Sequence, residues 1–191
     1  MSATVAGVVL AAGAGTRFGM PKALVEHDGS LLVERAARVL AAGGCDPVLV
    51  VLGAAADEVR ARAELGDART VLNPDWRSGM GSSVRTGLDA LGSTSAAGAL
   101  VLPVDMPGVS AEAVRRVAAH ASPTALAAAS HGGRRSHPVL LGRAHWAGAA
   151  AGATGDVGAR DYLRVRSVAM VDCDDVSNGL DIDRPGDLRP G

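Results

Sequence analysis

The chain has 191 residues, 48% hydrophobic and 20% charged, and its 19 Lys and Arg residues nearly balance its 20 Asp and Glu residues. This length and composition are typical of one ordinary globular domain and exclude an intrinsically disordered chain. A net charge of -1 and an aromatic content of 2% argue against a nucleic-acid partner, because such binding needs cationic and aromatic surfaces.

Neither a disulfide framework nor a membrane span is indicated. Cys45 and Cys173 are far apart and form no metal-binding pattern, so we expect two reduced, buried side chains. No run reaches about 18 uninterrupted apolar residues. The apolar segment 1–13 lacks a charged leader region and runs directly into patterned sequence, so we interpret it as the start of a first strand. We therefore expect a cytoplasmic protein with no membrane partner.

Short apolar runs alternate with helical patterns along the chain, which is typical of a mainly parallel sheet covered by helices. The apolar runs predict strands at residues 5–10, 48–52, 70–72, 99–102, 125–130, 139–141 and 168–171. The patterns between them predict helices at residues 31–42, 57–64, 80–91, 111–120 and 158–165. Ser30 and Ser110 precede two of these helices and are expected to be their N-caps.

The sharpest chemical signal follows the first strand, in the segment Leu10-Ala11-Ala12-Gly13-Ala14-Gly15-Thr16-Arg17-Phe18-Gly19-Met20-Pro21-Lys22. Its glycines allow positive φ angles and let backbone N–H groups approach a ligand closely. Arg17 and Lys22 add two cations, which suits the anionic tail of a nucleoside triphosphate. The spacing matches neither the dinucleotide pattern nor the P-loop. The alternative is an ordinary turn with two solvent-facing cations.

Three aspartates are candidate metal ligands. Asp105 follows a predicted strand, and open α/β sheets bind ligands at the carboxyl ends of their strands. Asp181 and Asp183 lie in the C-terminal segment, which could meet Asp105 there, and carboxylate oxygens suit Mg²⁺. Taken alone, isolated aspartates at strand ends are more often turn or cap residues.

Further polar residues lie in the second half of the chain. Arg134, Arg135 and His137 form a cationic stretch suited to an acceptor phosphate, and the alternative is a solvated hairpin turn. Asp156 and Arg160 either pair and order a loop or contact the acceptor. In the first half, Ser82 and Ser83 begin a predicted helix, where they either bind a nucleotide or cap the helix.

The loop pattern Leu-x-x-Gly-x-Gly-x-Arg-(Phe/Met)-Gly-x-x-Lys resembles the signature of nucleotidyltransferases that join a nucleoside monophosphate to a phosphate acceptor. Later segments occur in order at residues 73–83, 105–107 (Asp-Met-Pro), 137–140 (His-Pro-Val-Leu), 155–160 (Gly-Asp-Val-Gly-Ala-Arg) and 181–185 (Asp-Ile-Asp-Arg-Pro). Together they resemble the molybdenum cofactor cytidylyltransferases over nearly the whole chain.

The resemblance implies a single-domain, Rossmann-like, three-layer α/β/α fold of the nucleotide-diphospho-sugar transferase type. Within residues 1–191, it implies a mainly nucleotide-binding half, 1–105, and a mainly acceptor-binding half, 106–191. The implied reaction transfers CMP from CTP to the phosphate of molybdopterin, with Mg²⁺ as cofactor and pyrophosphate as product. The implied protein partner is a molybdoenzyme or a cofactor-insertion protein.

The resemblance also implies roles for individual residues. The catalytic residues are Arg17, Lys22 and Asp105. The nucleotide-binding residues are Leu10, Ala11, Ala12, Gly13, Gly15, Arg17, Lys22, Ser82 and Ser83. The acceptor-binding residues are Arg135, His137, Asp156 and Arg160. The metal ligands are Asp105, Asp183 and Asp181.

Two alternatives stay open at this point. Ala12 stands where guanylyltransferase relatives have Gly, which favours CTP over GTP, but another triphosphate with a different small phosphate acceptor fits the same fold. Val104 stands where relatives often have Gly, which leaves the metal geometry open. The second alternative is a non-catalytic accessory module that binds nucleotide or cofactor for a partner enzyme.

Overall fold

The computed structural model describes residues 4–188. Its α-helices are α1 (Leu32–Ala42), α2 (Ala56–Arg62), α3 (Met80–Ala90), α4 (Ala111–Ala118), α5 (Trp146–Gly152) and α6 (Arg160–Arg164). Its strands are β1 (Val5–Ala11), β2 (Glu26–His27), β3 (Ser30–Leu31), β4 (Val48–Leu52), β5 (Arg69–Leu72), β6 (Gly98–Pro103), β7 (Leu126–His131), β8 (Arg134–Gly142) and β9 (Ala169–Asp172). The first three residues of the segment interpreted as a first strand lie outside the described residues.

Seven strands form one twisted sheet in the order β5-β4-β1-β6-β8-β7-β9. Strands β5, β4, β1 and β6 are mutually parallel, β8 runs antiparallel to both neighbours, and β9 is parallel to β7. The predicted mainly parallel sheet is therefore confirmed. Because β1 and β6 are paired with Leu10 opposite Pro103, the glycine-rich loop and Asp105 leave the sheet at the same edge.

Helices cover both faces of the sheet, which confirms the three-layer architecture. Alternate side chains of β1 enter different cores: Val9 packs with α1, α2 and α4, whereas Val8 packs with α3, α5 and α6. All seven residues of β1 are buried, as expected for a strand covered on both faces. The sheet is therefore buried between two apolar cores.

The two expected N-caps have different outcomes. Ser110 caps α4, since its Oγ accepts a hydrogen bond from the backbone N–H of Ala113 at 3.1 Å. The prediction for Ser30 was wrong, because Ser30 pairs with His27 in the small β2–β3 hairpin. The carboxylate of Glu34 instead accepts a hydrogen bond from the backbone N–H of Leu31 at 2.9 Å and secures the start of α1.

The β2–β3 hairpin and helix α5 are not among the elements predicted from the sequence. The hairpin turn is Asp28-Gly29, with positive φ angles of 49° and 75°, and an Asp-Gly pair is a strong signal for such a turn. Helix α5 is composed largely of Ala and Gly, so it shows little hydrophobic periodicity. None of the helices in residues 4–188 combines the length and apolar character required to cross a bilayer.

Candidate active site

The glycine-rich loop folds into a compact turn after β1. The carbonyl oxygen of Gly15 accepts hydrogen bonds from the backbone N–H groups of Phe18 and Gly19, at 3.0 and 2.8 Å. Gly15 and Gly19 have positive φ angles of 63° and 94°, and a Cβ atom on Gly15 would overlap the carbonyl of Met20. Phe18 is buried in the core and anchors the turn. Gly13, in contrast, is not among the glycines with a positive φ.

Lys22 lies between two carboxylates that come from distant parts of the chain. Its Nζ donates hydrogen bonds to Oδ2 of Asp105 at 2.8 Å and to Oδ1 of Asp183 at 3.0 Å. Asp105 follows β6, while Asp183 is delivered by the C-terminal segment. The backbone N–H of Ile182 donates to the carbonyl oxygen of Asp105 at 2.8 Å, which ties that segment to the sheet edge.

Burial and charge explain the ionisation of this cluster. Burial by itself lowers the pKa of Lys22, but the hydrogen bonds and charges of Asp105 and Asp183 outweigh it and raise the pKa above its usual value. The hydrogen bond from Lys22 lowers the pKa of Asp183. Lys22 is therefore a cation at neutral pH. Arg17 lies farther out, with its side chain 80% exposed and Nη1 4.0 Å from Oδ2 of Asp183.

The acidic residues fit a metal that is shared with a bound polyphosphate. Mg²⁺ in proteins usually takes one or two carboxylates, and substrate phosphates and waters complete its shell. Asp105 and Asp183 supply two carboxylates within reach of one point, the Nζ of Lys22. Residues 4–188 contain no group of three or more acidic, His or Cys side chains that could hold a metal alone. Asp181 is exposed and lines the cavity beside Asp105.

A cavity of about 540 Å³ opens beside this cluster. Its floor is apolar and includes Leu10, Val101, Val139 and Leu141, while Asp105 and Asp181 form one edge. All the predicted acceptor-binding residues line this cavity, namely Arg135, His137, Asp156 and Arg160. Arg134 and Ser136 line it too. A second cavity of about 600 Å³, between α1 and residues 64–68, contains none of the predicted site residues.

His137 is uncharged within this cavity. Burial, followed by the positive charges of Arg160 and Arg135, lowers its pKa to about 4. The imidazole can therefore donate one hydrogen bond and accept another at neutral pH. Of the two alternatives for Asp156 and Arg160, mutual pairing is not found. These two side chains form no ion pair with each other within residues 4–188.

The sequence of this chain is similar to a known protein family and to a curated relative. The family model described as MobA-like NTP transferase domain matches residues 7–172. The chain belongs to this family of nucleotidyltransferases. A relative from Paenarthrobacter nicotinovorans, named nicotine blue oxidoreductase, is 43% identical over 189 residues, which cover 94% of this chain and 92% of that protein.

Solved structures agree with the family assignment. The protein Rv0371c of Mycobacterium tuberculosis H37Rv superposes with a TM-score of 0.82 at 26% identity, covering 98% of this chain and 96% of that one. A complex of the same mycobacterial protein with manganese gives a TM-score of 0.79 at 26% identity, covering 96% and 95%. These structures share the fold of this chain, and a divalent metal is typical of the nucleotidyltransferase family to which it belongs.

In this nucleotidyltransferase, Ser82 and Ser83 are hydrogen-bonded to Asn73. Both serines are buried, and the Nδ2 of Asn73 donates to their Oγ atoms at 2.8 and 3.0 Å. The single hydroxyl hydrogen of Ser82 is shared between the carbonyl oxygens of Asp75 and Gly79, at 3.0 and 2.8 Å from Oγ. These hydroxyls fix the start of α3, so a direct nucleotide contact through them stays a prediction.

The alanines of the loop are also largely covered by protein. Ala11 and Ala12 are buried on opposite faces of the sheet, and the carbonyl oxygen of Ala12 accepts from the backbone N–H of Ala54 at 3.0 Å. The methyl group of Ala12 therefore packs in the α3-side core of the nucleotidyltransferase. Its influence on base choice stays a prediction.

One supporting residue was missed in the sequence. Oδ2 of Asp187 accepts hydrogen bonds from the backbone N–H groups of Asp183 and Arg184, at 2.9 and 2.8 Å. These bonds hold the backbone that carries the Asp183 carboxylate. An Asp two residues after Pro185, at the third position of a short helical turn, is a capping signal that could have identified it.

Proposed function

We propose that this nucleotidyltransferase transfers CMP from CTP to the phosphate of a molybdopterin acceptor, with Mg²⁺ as cofactor and pyrophosphate as product. The observation that carries the proposal is the position of Lys22, held between Asp105 and Asp183 at the mouth of the glycine-rich loop. A basic group and two carboxylates at one sheet edge are what a metal-bound polyphosphate requires. A molybdoenzyme or a cofactor-insertion protein would receive the product.

The nucleotide is assigned mainly to residues 1–105. The backbone of the loop, from Leu10 through Ala11, Ala12, Gly13 and Gly15, would face the triphosphate and ribose, as the family resemblance implies. Arg17 has the exposure needed to reach phosphate oxygens from solvent. The family match over residues 7–172 supports an NTP as substrate, and the Ala12 position favours CTP.

The reaction needs positioning and charge neutralisation more than proton transfer. An oxygen of the acceptor phosphate, already anionic, attacks the α-phosphorus, and the bond from that phosphorus to the bridging oxygen breaks, so that pyrophosphate leaves with the electron pair. Lys22 and Arg17 donate hydrogen bonds to the departing pyrophosphate. When bound to Asp105 and Asp183, with Asp181 nearby, Mg²⁺ would supply the positive charge that offsets repulsion between the two anions.

The acceptor is assigned mainly to residues 106–191. Arg135 and Arg160 contribute positive charge to the cavity, and both lower the pKa of His137. A phosphate group would be attracted to these guanidinium groups and could accept a hydrogen bond from neutral His137. Asp156 lines the same cavity and could accept hydrogen bonds from the polar edge of a pterin.

The test is pyrophosphate release with CTP, GTP, ATP and UTP, each paired with molybdopterin and with small phosphate acceptors. Release with CTP and molybdopterin, dependent on Mg²⁺, is the expected result. Preference for another triphosphate or for a phosphosugar would replace the substrate assignment. Tight CTP binding without pyrophosphate release for any acceptor would favour a non-catalytic accessory module.

A second candidate comes from one relative. The 43% identity to a protein named nicotine blue oxidoreductase makes oxidation or reduction of a related heterocycle a competing function. Both cysteines are buried and unbridged, so electrons would come from a carrier such as a reduced nicotinamide. Oxidation of that carrier by nicotine blue, measured optically with the same preparation, would establish this candidate, particularly if pyrophosphate release were absent.

A further inference from the structure

Two large apolar side chains are exposed to the same cavity. Met80, the first residue of α3, is 41% exposed, and Val157 is 37% exposed, and both line the cavity of about 540 Å³. Single exposed apolar residues are common on protein surfaces and need no explanation. Two that share one cavity, next to a cluster of charged groups, indicate a surface that a ligand covers.

The relative position of these side chains is fixed by close backbone packing. A Cβ atom on Gly79 would overlap the backbone of Gly155, and one on Gly81 would overlap the backbone of Ala153. The start of α3 is thus pressed against the segment that carries Val157. The Sδ of Met80 lies 3.4 Å from the position that a Cβ on Gly158 would occupy, so the thioether lies along this segment.

Charged side chains of both signs line the rest of the cavity, and Asp105, Asp156 and Asp181 are the acidic ones. Arg134, Arg135 and Arg160 line it, and His137 between the charges of Arg135 and Arg160 is neutral. An apolar surface combined with guanidinium groups complements a ligand that has an anionic group on a flat apolar body. A sugar phosphate would instead place hydroxyl groups against Met80 and Val157, which offer them no side-chain hydrogen-bonding partner.

We propose that Met80 and Val157 form an apolar wall that determines acceptor specificity by covering the ring system of a planar heterocyclic phosphate monoester. The phosphate of that ligand is bound by Arg135 and Arg160. The inference rests on the proposed function only in assigning this cavity to the acceptor. It adds to that function the side chains that select a ring over a sugar.

The wall is tested with 1-naphthyl phosphate, whose fluorescence reports binding, and with glucose 1-phosphate as a competing sugar phosphate. Met80→Gln and Val157→Thr preserve the shape of each side chain but make it polar. We expect them to raise the Kd for 1-naphthyl phosphate about fivefold and about threefold, and to leave the Kd for glucose 1-phosphate unchanged or lower it, since Gln and Thr offer its hydroxyl groups a hydrogen-bonding partner. Arg135→Gln should raise the Kd for both ligands, because both carry the phosphate group that Arg135 binds.

Matched controls exist among exposed apolar residues that do not line the cavity. Met170 on β9 and Val165 after α6 are 46% and 73% exposed and do not line the cavity, so Met170→Gln and Val165→Thr leave both dissociation constants unchanged. The proposal is overturned if the wall and control variants behave alike, if both ligands weaken equally in Met80→Gln, or if 1-naphthyl phosphate does not bind saturably to the unchanged protein.

The outcome is independent of the nucleotide assignment. Probe binding is measured without any triphosphate, whereas the proposed function is measured by pyrophosphate release. Weaker probe binding in the wall variants of an enzyme that does not accept CTP would support the wall and reject the proposed function. Normal CTP turnover together with unaltered probe binding in Met80→Gln would support the proposed function and reject the wall.

Discussion

Lys22 shows how one side chain can have two roles in this site. Its Nζ forms ion pairs with two carboxylates, at 2.8 Å from Asp105 and 3.0 Å from Asp183. The same carboxylates are the proposed metal ligands, so a cation can reach them fully only when Lys22 moves away. The phosphates of an incoming nucleotide supply the negative charge that would draw Lys22 from this position.

Replacement of Lys22 should lower turnover without unfolding the chain. Lys22→Ala removes a donor to the departing pyrophosphate, and deletions of comparable charge-stabilising donors cost about 3–4 kcal/mol of transition-state stabilisation, or 10²–10³ in rate. Pyrophosphate release at saturating CTP measures the loss, and circular dichroism checks the fold. Near-normal turnover would remove Lys22 from the catalytic residues.

The affinity for a divalent metal, measured without nucleotide, should rise when Lys22 is replaced. Lys22→Met frees both carboxylates and removes a competing charge, so we expect Mn²⁺ to bind about tenfold more tightly than in the unchanged protein. Arg17→Met removes the same charge but from an exposed position 4.0 Å from Asp183, so a change below about threefold is expected.

Electron paramagnetic resonance of Mn²⁺ measures these affinities directly. Asp105→Asn serves as the site control and should abolish the tight binding in the Lys22→Met background. Equal effects of Lys22→Met and Arg17→Met would show that long-range charge, and not occupation of the space between the carboxylates, limits metal binding.

At the scale of secondary-structure elements, the start of α3 is held by buried polar contacts. Asn73, after β5, is 1% exposed and binds both Ser82 and Ser83. The same turn of α3 presents Met80 to the cavity. Polar contacts on one side of the helix start thus fix the apolar side chain on the other.

Loss of one of these hydroxyls should destabilise the fold. Ser82→Ala leaves Asn73 with fewer partners in a buried position, which costs about 1–3 kcal/mol of unfolding free energy. Ser78→Ala provides the matched control, because its hydroxyl donates one bond in an exposed position and its loss should cost less than about 0.5 kcal/mol. Chemical denaturation compares the two variants, and equal losses would contradict the assigned structural role of Ser82.

His137 on β8 should make stability depend on pH. Its pKa is lowered by burial to about 4 in the folded protein, from 6.5, so the unfolded chain binds more protons between these values. The contribution of His137 to the free energy of unfolding is therefore complete above about pH 6.5, and about 3 kcal/mol of it is lost as the pH falls to 4.

Urea unfolding at a series of pH values tests this dependence. His137→Gln should remove that part of the pH profile, whereas His120→Gln, at an exposed position after α4, should leave it unchanged. An unaltered profile in His137→Gln would show that other groups cause the loss at low pH.

On the scale of the whole molecule, the site depends on the return of the C-terminal segment to the central strands. Ile182 is buried in the same core as α1 and α4, and its backbone N–H reaches the carbonyl oxygen of Asp105. Asp181 and Asp183 flank this anchor. Packing of one apolar side chain therefore delivers the acidic residues to the loop.

Ile182→Ala should weaken both the fold and the site. Truncation of a buried Ile costs about 2–5 kcal/mol. We also expect weaker Mn²⁺ binding, because Asp183 is no longer held beside Asp105. Leu180→Ala, two residues away and exposed, should change neither property. Thermal unfolding and Mn²⁺ titration measure the effects, and retention of full metal affinity in Ile182→Ala would contradict the anchoring role.

Much of the fold could be predicted because its signals are local. The strand Val48–Leu52 matches its prediction residue for residue, and Ser110 caps α4 as expected. The helix start at Ser30 was wrong because a hairpin and the carboxylate of Glu34 compete for the same backbone. Such competition involves several neighbours at once and is not visible in a capping residue alone.

The amino-acid sequence by itself determined the order of the seven strands of the main sheet and of five helices, the glycine-rich loop and the chemical types of the site residues, because periodicity and glycine spacing depend on near neighbours. Only the tertiary structure decided that Lys22 lies between carboxylates 83 and 161 positions away, and that Ser82 is turned towards Asn73. Contacts at such separations follow from strand pairing and core packing, which bring distant residues together in ways that local sequence patterns do not encode.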